Sequence, residues 1–149
     1  MLVGRYGALG IHGLLSVQRL FPGHFKNFLF VSIGVIDAAA MKGVEEVERI
    51  RQCTGEDLDK YVALAKGLGL AADQYMNIGV EVLDEAEKLC RDIAEDFTNS
   101  MFFVTKLIFE EDRWYQRLLH NETAYQLQRR LQFAGLNSMV LPVRVFART

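Results

Sequence analysis

The feature that most constrains this chain is the regular alternation of apolar, β-branched runs with stretches of helical periodicity. Strands that alternate with helices are typical of a parallel sheet covered by helices on both faces. We therefore predict an α/β fold of the three-layer, Rossmann-like doubly wound class, with a five-stranded, mostly parallel sheet in the order 3-2-1-4-5. The five predicted strands are Met1–Val3, Phe28–Ile36, Ala72–Ile78, Met101–Phe109 and Met139–Phe146.

The predicted helices lie between these strands, and their apolar residues recur at intervals of three and four. They cover residues 11–20, 44–68, 81–97 and 112–133. In the second helical region, one apolar stripe is expected to contain Val44, Val47, Ile50 and Cys53. The following residues, Thr54-Gly55-Glu56-Asp57, resemble a capping box, so we expect a new helix to start at Thr54. Neither an internal repeat nor a linker interrupts the pattern, so residues 1–149 are expected to form a single domain.

The sharpest motif is a run of three glycines, Gly4, Gly7 and Gly10, that follows the first strand and opens the first helix. Glycines at such a turn allow a tight bend and close approach of the backbone to a phosphate. The N-terminus of the helix adds its dipole and free N–H groups. His12 in the first helix would reach a bound anion, or it is simply a polar residue near the helix start. Asp37 closes the second strand, where an acid would hold a ribose.

Several interpretations of this motif stay open. The glycines permit a strand-to-helix turn and nothing more, or they bind a phosphate or nucleotide, or they belong to a dehydrogenase. The spacing is GxxGxxG, which resembles a variant found in some extended short-chain dehydrogenase-like proteins. Against catalysis, the sequence has no Tyr-x-x-x-Lys pair and is too short for a substrate domain.

The acids Glu110–Asp112 fit a helix N-terminus better than a catalytic cluster. We therefore predict no catalytic residue, no metal site and no obligatory cofactor, with a nucleotide as the possible ligand.

Charge and cysteine content narrow the classes of function further. The net charge of −2 leaves no basic footprint, so nucleic acid is not expected as a partner. Cys53 and Cys90 are far apart and outside any Cys/His cluster, so we expect buried free thiols in a reducing compartment. No apolar run approaches the roughly 18 residues of a membrane span. The abrupt start at Met1 leads us to expect a soluble piece of something longer.

Four segments carry a family resemblance: Gly7–Pro22, Phe28–Asp37, Lys42–Glu46 and Arg117–Phe133. They are similar to the C-terminal soluble region of certain bacterial amino acid permeases of the amino acid–polyamine–organocation superfamily. The resemblance implies a domain on the cytoplasmic side of the bacterial inner membrane, tethered after the last membrane helix. Its partner would then be the transmembrane portion of the same transporter. The resemblance brings no catalytic residues.

Two hypotheses of different classes follow. In the first, the chain is a non-catalytic regulatory or assembly domain of a permease that senses a small anionic ligand or nucleotide at the glycine turn. In the second, it is a free-standing Rossmann-like nucleotide- or dinucleotide-binding protein or enzyme fragment. A homodimerisation module is a third option, for which exposed aromatic residues such as Trp114 or Tyr115 would serve.

Overall fold

The structure is a computed structural model that describes residues 1–36, 43–109 and 114–145; its side chains are described for residues 1–36, 43–105 and 122–143. The helices are α1 (Ala8–Leu20), α2 (Val44–Gly67), α3 (Val82–Asp96) and α4 (Trp114–Phe133). The strands are β1 (Asn27–Val35), β2 (Ala71–Gly79), β3 (Met101–Phe109) and β4 (Asn137–Val145). The protein is therefore mixed α/β, with helices and strands alternating as predicted.

The strands pair in parallel, as predicted, and form two two-stranded sheets. In the first sheet β1 pairs with β2, and in the second β3 pairs with β4. The first predicted strand, Met1–Val3, lies between the two sheets, where Leu2 forms a parallel bridge to Val31 of β1 and another to Val104 of β3. Pro142 lies in β4, and within the described part of the chain β4 has β3 as its only partner strand. Proline there removes no hydrogen bond from a central strand, as expected.

Two apolar cores hold the helices against the strands. The first combines residues of α1 and α2 with Phe28, Phe30 and Phe103. The second combines residues of α3 and α4 with Val31, Phe102 and Val104. Because successive side chains of a strand point to opposite faces, the near-continuous apolar runs of β1 and β3 contribute to both cores.

The predicted interruption of α2 at Thr54 is wrong, because α2 continues without a break from Val44 to Gly67. The helix packs on β1 through this region: a Cβ placed on Gly34 would lie 2.6 Å from Ile50 Cγ2 and 3.4 Å from Thr54 Oγ1. Thr54 therefore lies on the packing face and does not cap a new helix. The prediction that Val44 and Cys53 belong to the buried apolar stripe of this helix is also wrong, since Val44 is 85% exposed and Cys53 is exposed.

The turns between elements follow the expected chemistry. α1 ends just before Pro22-Gly23, and α4 ends just before Gly135, whose φ of 78° places it in the left-handed region that favours glycine. Within the described ranges, no helix has both the length and the hydropathy to cross a membrane.

Candidate functional site

The glycine turn, Gly4–Gly10, leaves the Met1–Val3 segment where that segment passes between β1 and β3. The Val3 N–H donates to the Val31 carbonyl at 2.9 Å, and the chain then turns into α1, which begins at Ala8. Ligands of open parallel sheets bind beyond the carboxyl ends of the strands, at the point where the connections diverge. The turn lies beyond the carboxyl end of the Met1–Val3 segment, as the hypothesis of a ligand at the glycines requires.

Two of the three predicted glycines face open space. A Cβ placed on Gly4 or on Gly7 would meet nothing within 4 Å. Gly7 is the N-cap of α1, with φ of 174°, so its backbone is extended and any residue can adopt it. No side chain caps α1 at this end. Gly4 and Gly7 are thus not required by the packing of the turn, and the space beside them is open.

Gly10 has a different role, because it packs against Tyr61 of α2. A Cβ on Gly10 would overlap the ring and the hydroxyl of Tyr61. That hydroxyl accepts a hydrogen bond from the Gly7 N–H at 3.3 Å and donates one to the Arg5 carbonyl at 2.8 Å. Burial raises the pKa of Tyr61, which keeps the phenol protonated and able to donate. Gly10 is therefore a packing residue, and one N–H of the turn is already used within the protein.

Aromatic contacts fix the Tyr61 ring in this position. It stacks on Phe30 with ring centroids 5.5 Å apart and meets the edge of Tyr6 at 4.8 Å. The side chain of Tyr61 is fully buried in the first core. The turn is therefore held to α2 and β1 by one rigid side chain, which pre-organises its backbone.

The charged side chains beside the turn are of both signs: Arg5 and Lys60 are positive, and Asp57, whose charge adds to the raised pKa of Tyr61 after burial, is negative. Arg5 is exposed, and within the described residues no carboxylate lies at salt-bridge distance from it. Lys60 Nζ lies 5.9 Å from the centre of the Tyr6 ring and 3.8 Å from Asp57 Oδ1. Arg5 is the more available of the two cations, and its charge favours an anion at the turn.

Of the remaining predicted site residues, the structure describes His12. His12 is exposed on α1, and none of the described hydrogen bonds involves its ring. Asp37 and the acids Glu110–Asp112 lie outside the described residues. Of the five predicted ligand-binding residues, the structure therefore brings Gly4, Gly7 and Gly10 together.

Sequence reasoning missed Tyr61 as a residue of this site. Tyr61 is buried on the apolar face of α2. A tyrosine in an otherwise apolar stripe signals a hydroxyl that needs a partner. The sequence gives no indication that the partners are Arg5 and Gly7, which are more than 50 residues away.

A cleft of about 530 Å³ opens at the opposite end of the strands. It is lined by Met1, by residues 24–29 at the start of β1 and by residues 96–103 at the start of β3. No sequence motif pointed to it. Across the described ranges, no cluster of three or more His, Cys, Asp and Glu side chains is arranged to hold a metal ion, either in this cleft or at the turn.

Comparisons of the chain with protein-family models, with curated proteins and with solved structures give no match in any of the three.

Proposed function

We propose that the chain is a non-catalytic regulatory or assembly domain of a bacterial amino acid transporter, and that it binds a small anionic ligand or nucleotide at the glycine turn. The observation that carries the ligand site is the open space beside Gly4 and Gly7 at the N-terminus of α1, which no side chain caps. The transporter context, including the cytoplasmic location and the transmembrane partner, rests on the resemblance of four sequence segments to permease C-terminal regions.

The proposed site also depends on the order of the strands. We infer that Met1–Val3 joins the two parallel pairs into one Rossmann-like, five-stranded sheet. Its strands would follow one another as β2, β1, Met1–Val3, β3 and β4, which is the order 3-2-1-4-5 when Met1–Val3 is counted as the first strand. The bridges from Leu2 to both β1 and β3 support this arrangement. In it, the first connection runs from the central strand to α1 and departs at the switch point, where doubly wound folds bind their ligands.

The physical case for an anion combines three features at one place. The N–H groups of the first turn of α1 point out of the helix, and the helix dipole places partial positive charge there. Arg5 adds a full positive charge within the turn. Tyr61 holds the backbone in place before any ligand arrives, which lowers the entropy lost on binding.

A thermal-shift screen tests the ligand site. The purified protein is heated with nucleotides, dinucleotides, cyclic dinucleotides and amino acids, each in turn. A ligand at about a hundred times its Kd is expected to raise Tm by a few degrees. Gly7→Val is expected to remove the shift, since its side chain fills the open space, while circular dichroism shows an intact fold.

Gly67→Ala is the matched control, because Gly67 also faces open space but lies at the end of α2. It is expected to leave the shift unchanged. The absence of a shift with every compound would remove the ligand from the proposal and leave an assembly role, for instance as a homodimer. The transporter context is tested separately: the reading frame upstream of Met1 is expected to encode membrane spans, and a free-standing nucleotide-binding protein would have none.

A further inference from the structure

The outer edge of β2 is open in the described part of the chain, where β1 is the only strand that pairs with it. The odd-numbered residues of β2 bond to β1, since the Ala71 N–H donates to the Lys26 carbonyl and the Gly79 carbonyl accepts from the Ile36 N–H. Because backbone groups alternate between the two sides of a strand, the even-numbered residues direct their N–H and C=O groups outward. These residues are Ala72, Gln74, Met76 and Ile78.

Apolar side chains along this edge are left partly uncovered. None of the nine residues of β2 is buried, although the strand contains Tyr75, Met76 and Ile78. In the neighbouring strand β1, five of the nine residues are buried. Tyr75 packs against the second core and Met76 against the first, so apolar surface is left on both faces of β2. A partner strand that brings its own helices would cover both faces.

The edge formed by β4 carries features that oppose pairing, and the edge formed by β2 has few of them. β4 contains Pro142 and Arg144, and proline and charged residues are among the means by which proteins prevent edge-to-edge association. β2 contains no proline, and Asp73 is its one charged residue. Pairing is therefore opposed much less at β2 than at β4.

The sequence of β2 is complementary to itself in an antiparallel register centred on Tyr75. In this register all nine residues are paired, with Ala71 opposite Gly79 at the two ends. Outward-facing residues then lie opposite outward-facing residues, as the hydrogen-bonded pairs of an antiparallel ladder require. Four such pairs would form about eight hydrogen bonds between two copies.

Asp73 fits this register because it lies opposite Asn77 and not opposite a second acid. In the single chain, Asp73 Oδ1 accepts from the Gln74 N–H at 2.8 Å, so it satisfies one group of the open edge. On pairing, that N–H would donate to the second copy, and the Asp73 carboxylate would accept from the side-chain amide of the opposite Asn77. Asn77 Nδ2 has two N–H groups and donates one of them to Glu85 Oε2 at 3.3 Å, which leaves the other for Asp73.

The helices leave room for a second copy at this edge. α2 packs on both β1 and β2, and α3 also packs on both strands. A helix centred over two strands lies half a strand spacing inside the edge, so equivalent helices of two copies would be two spacings, about 9.6 Å, apart. This separation falls within the roughly 8–10 Å at which helices pack, so the helices would contact and not overlap.

We propose that β2 pairs antiparallel with β2 of a second copy of this chain, about a two-fold axis at Tyr75, and that the protein is a symmetric homodimer. Such a contact uses the same surface on both copies and closes on itself. The two Tyr75 residues would form a non-hydrogen-bonded pair with Cα atoms about 4.5 Å apart, in which aromatic side chains stabilise each other. The homodimer gives the assembly role a surface and depends on neither the ligand nor the transporter.

Disulfide formation tests the register. In a Cys53→Ser background, which removes the exposed native thiol, Tyr75→Cys is expected to give a covalent dimer on mild oxidation, because the separation of about 4.5 Å is one that a disulfide can bridge. Asp73→Cys is the matched control. It lies two residues away, but in this register it is about 14 Å from its own copy, so it is expected to cross-link at least about tenfold more slowly. Equal rates, or a faster Asp73→Cys, would overturn the proposal.

Sedimentation of the unmodified protein from micromolar to millimolar concentration tests the association itself, and a dimer is expected. Gln74→Pro removes an outward N–H and leaves the β1 ladder intact, so it is expected to weaken the dimer at least about tenfold while circular dichroism shows an intact fold. Ser138→Pro places proline at an outward-facing position of β4 and is expected to leave the dimer unchanged.

A monomer at every concentration, or a dimer that Gln74→Pro does not weaken, would overturn the proposal. If Gln74→Pro does not fold, the two cysteine variants decide the question. A failed ligand screen would remove the proposed anion site without altering any of these measurements, so the two proposals fail separately.

Discussion

The hydroxyl of Tyr61 lies 3.3 Å from the backbone nitrogen of Gly7, from which it accepts a hydrogen bond across 54 residues of sequence. The same hydroxyl donates to the Arg5 carbonyl at 2.8 Å. One side chain thus joins the middle of α2 to both sides of the turn before α1. The conformation of the glycine turn consequently depends on the packing of α2, and not only on the glycines.

Tyr61→Phe is expected to destabilise the protein by about 1–2 kcal/mol, because it leaves the Gly7 N–H and the Arg5 carbonyl without their partner while preserving the ring. The free energy of unfolding is measured by urea denaturation. Tyr75→Phe is the control, since Tyr75 packs against the second core and its hydroxyl makes none of the described hydrogen bonds. Equal losses from the two variants would show that the hydroxyl of Tyr61 does not hold the turn.

Gly10→Ala is expected to cost roughly 2–4 kcal/mol, because the added methyl group overlaps the buried Tyr61 ring and forces α1 and α2 apart. Gly4→Ala adds the same methyl group where nothing lies within 4 Å, so its effect is expected to stay within about 0.5 kcal/mol. Thermal unfolding of both variants measures the difference. A neutral Gly10→Ala would mean that the Tyr61 ring moves aside, and the pre-organised turn would lose its main support.

Much of the fold was predictable because long apolar runs leave few choices. Met101–Phe109 was predicted as a strand and is β3 with the same bounds, since nine residues of this composition have few alternatives. The restart of α2 at Thr54 was predicted from a local capping pattern. It is wrong because Ile50 and Thr54 pack on Gly34, and that tertiary contact outweighs the local preference of the Thr-Gly-Glu-Asp sequence.

The candidate site was predictable only in part. The glycines are visible as a motif, but the sequence does not distinguish Gly10, which packs against Tyr61, from Gly4 and Gly7, which face open space. That distinction arises from a contact between distant elements. The cleft at the other end of the strands was not predictable either, since it depends on the register of Met1–Val3 between β1 and β3.

The two cysteines are expected to differ sharply in reactivity. Cys53 is exposed, which corrects the expectation that both thiols are buried. Cys90 is buried in the second core, and this burial raises the pKa of its thiol to about 12, so it has almost no thiolate at neutral pH. Titration of the native protein with a thiol-specific disulfide reagent is expected to label Cys53 quickly. Cys90 is expected to react only after denaturation, and Cys53→Ser is expected to abolish the fast phase.

The Met1 amine makes stability depend on pH. Burial lowers the pKa of this group from 8.0 to about 6 in the folded protein, whereas in the unfolded chain it keeps its ordinary value. Between pH 6 and 8 the unfolded chain therefore binds more protons, and the free energy of unfolding rises with pH. A decrease from pH 8 to pH 6 is expected to cost about 2 kcal/mol, and the loss from this group levels off below about pH 5.

N-terminal acetylation isolates this effect, because it removes the amine charge and leaves the other ionisable groups of the cleft, His24, Lys26 and Asp96, unchanged. Urea midpoints at pH 6 and pH 8 are compared for the free and acetylated proteins. The acetylated form is expected to lose the part of the pH dependence that comes from Met1, and to be the more stable form at pH 6. Parallel pH profiles for the two forms would show that the Met1 amine is solvated in the folded protein, and that its pKa is not lowered by burial.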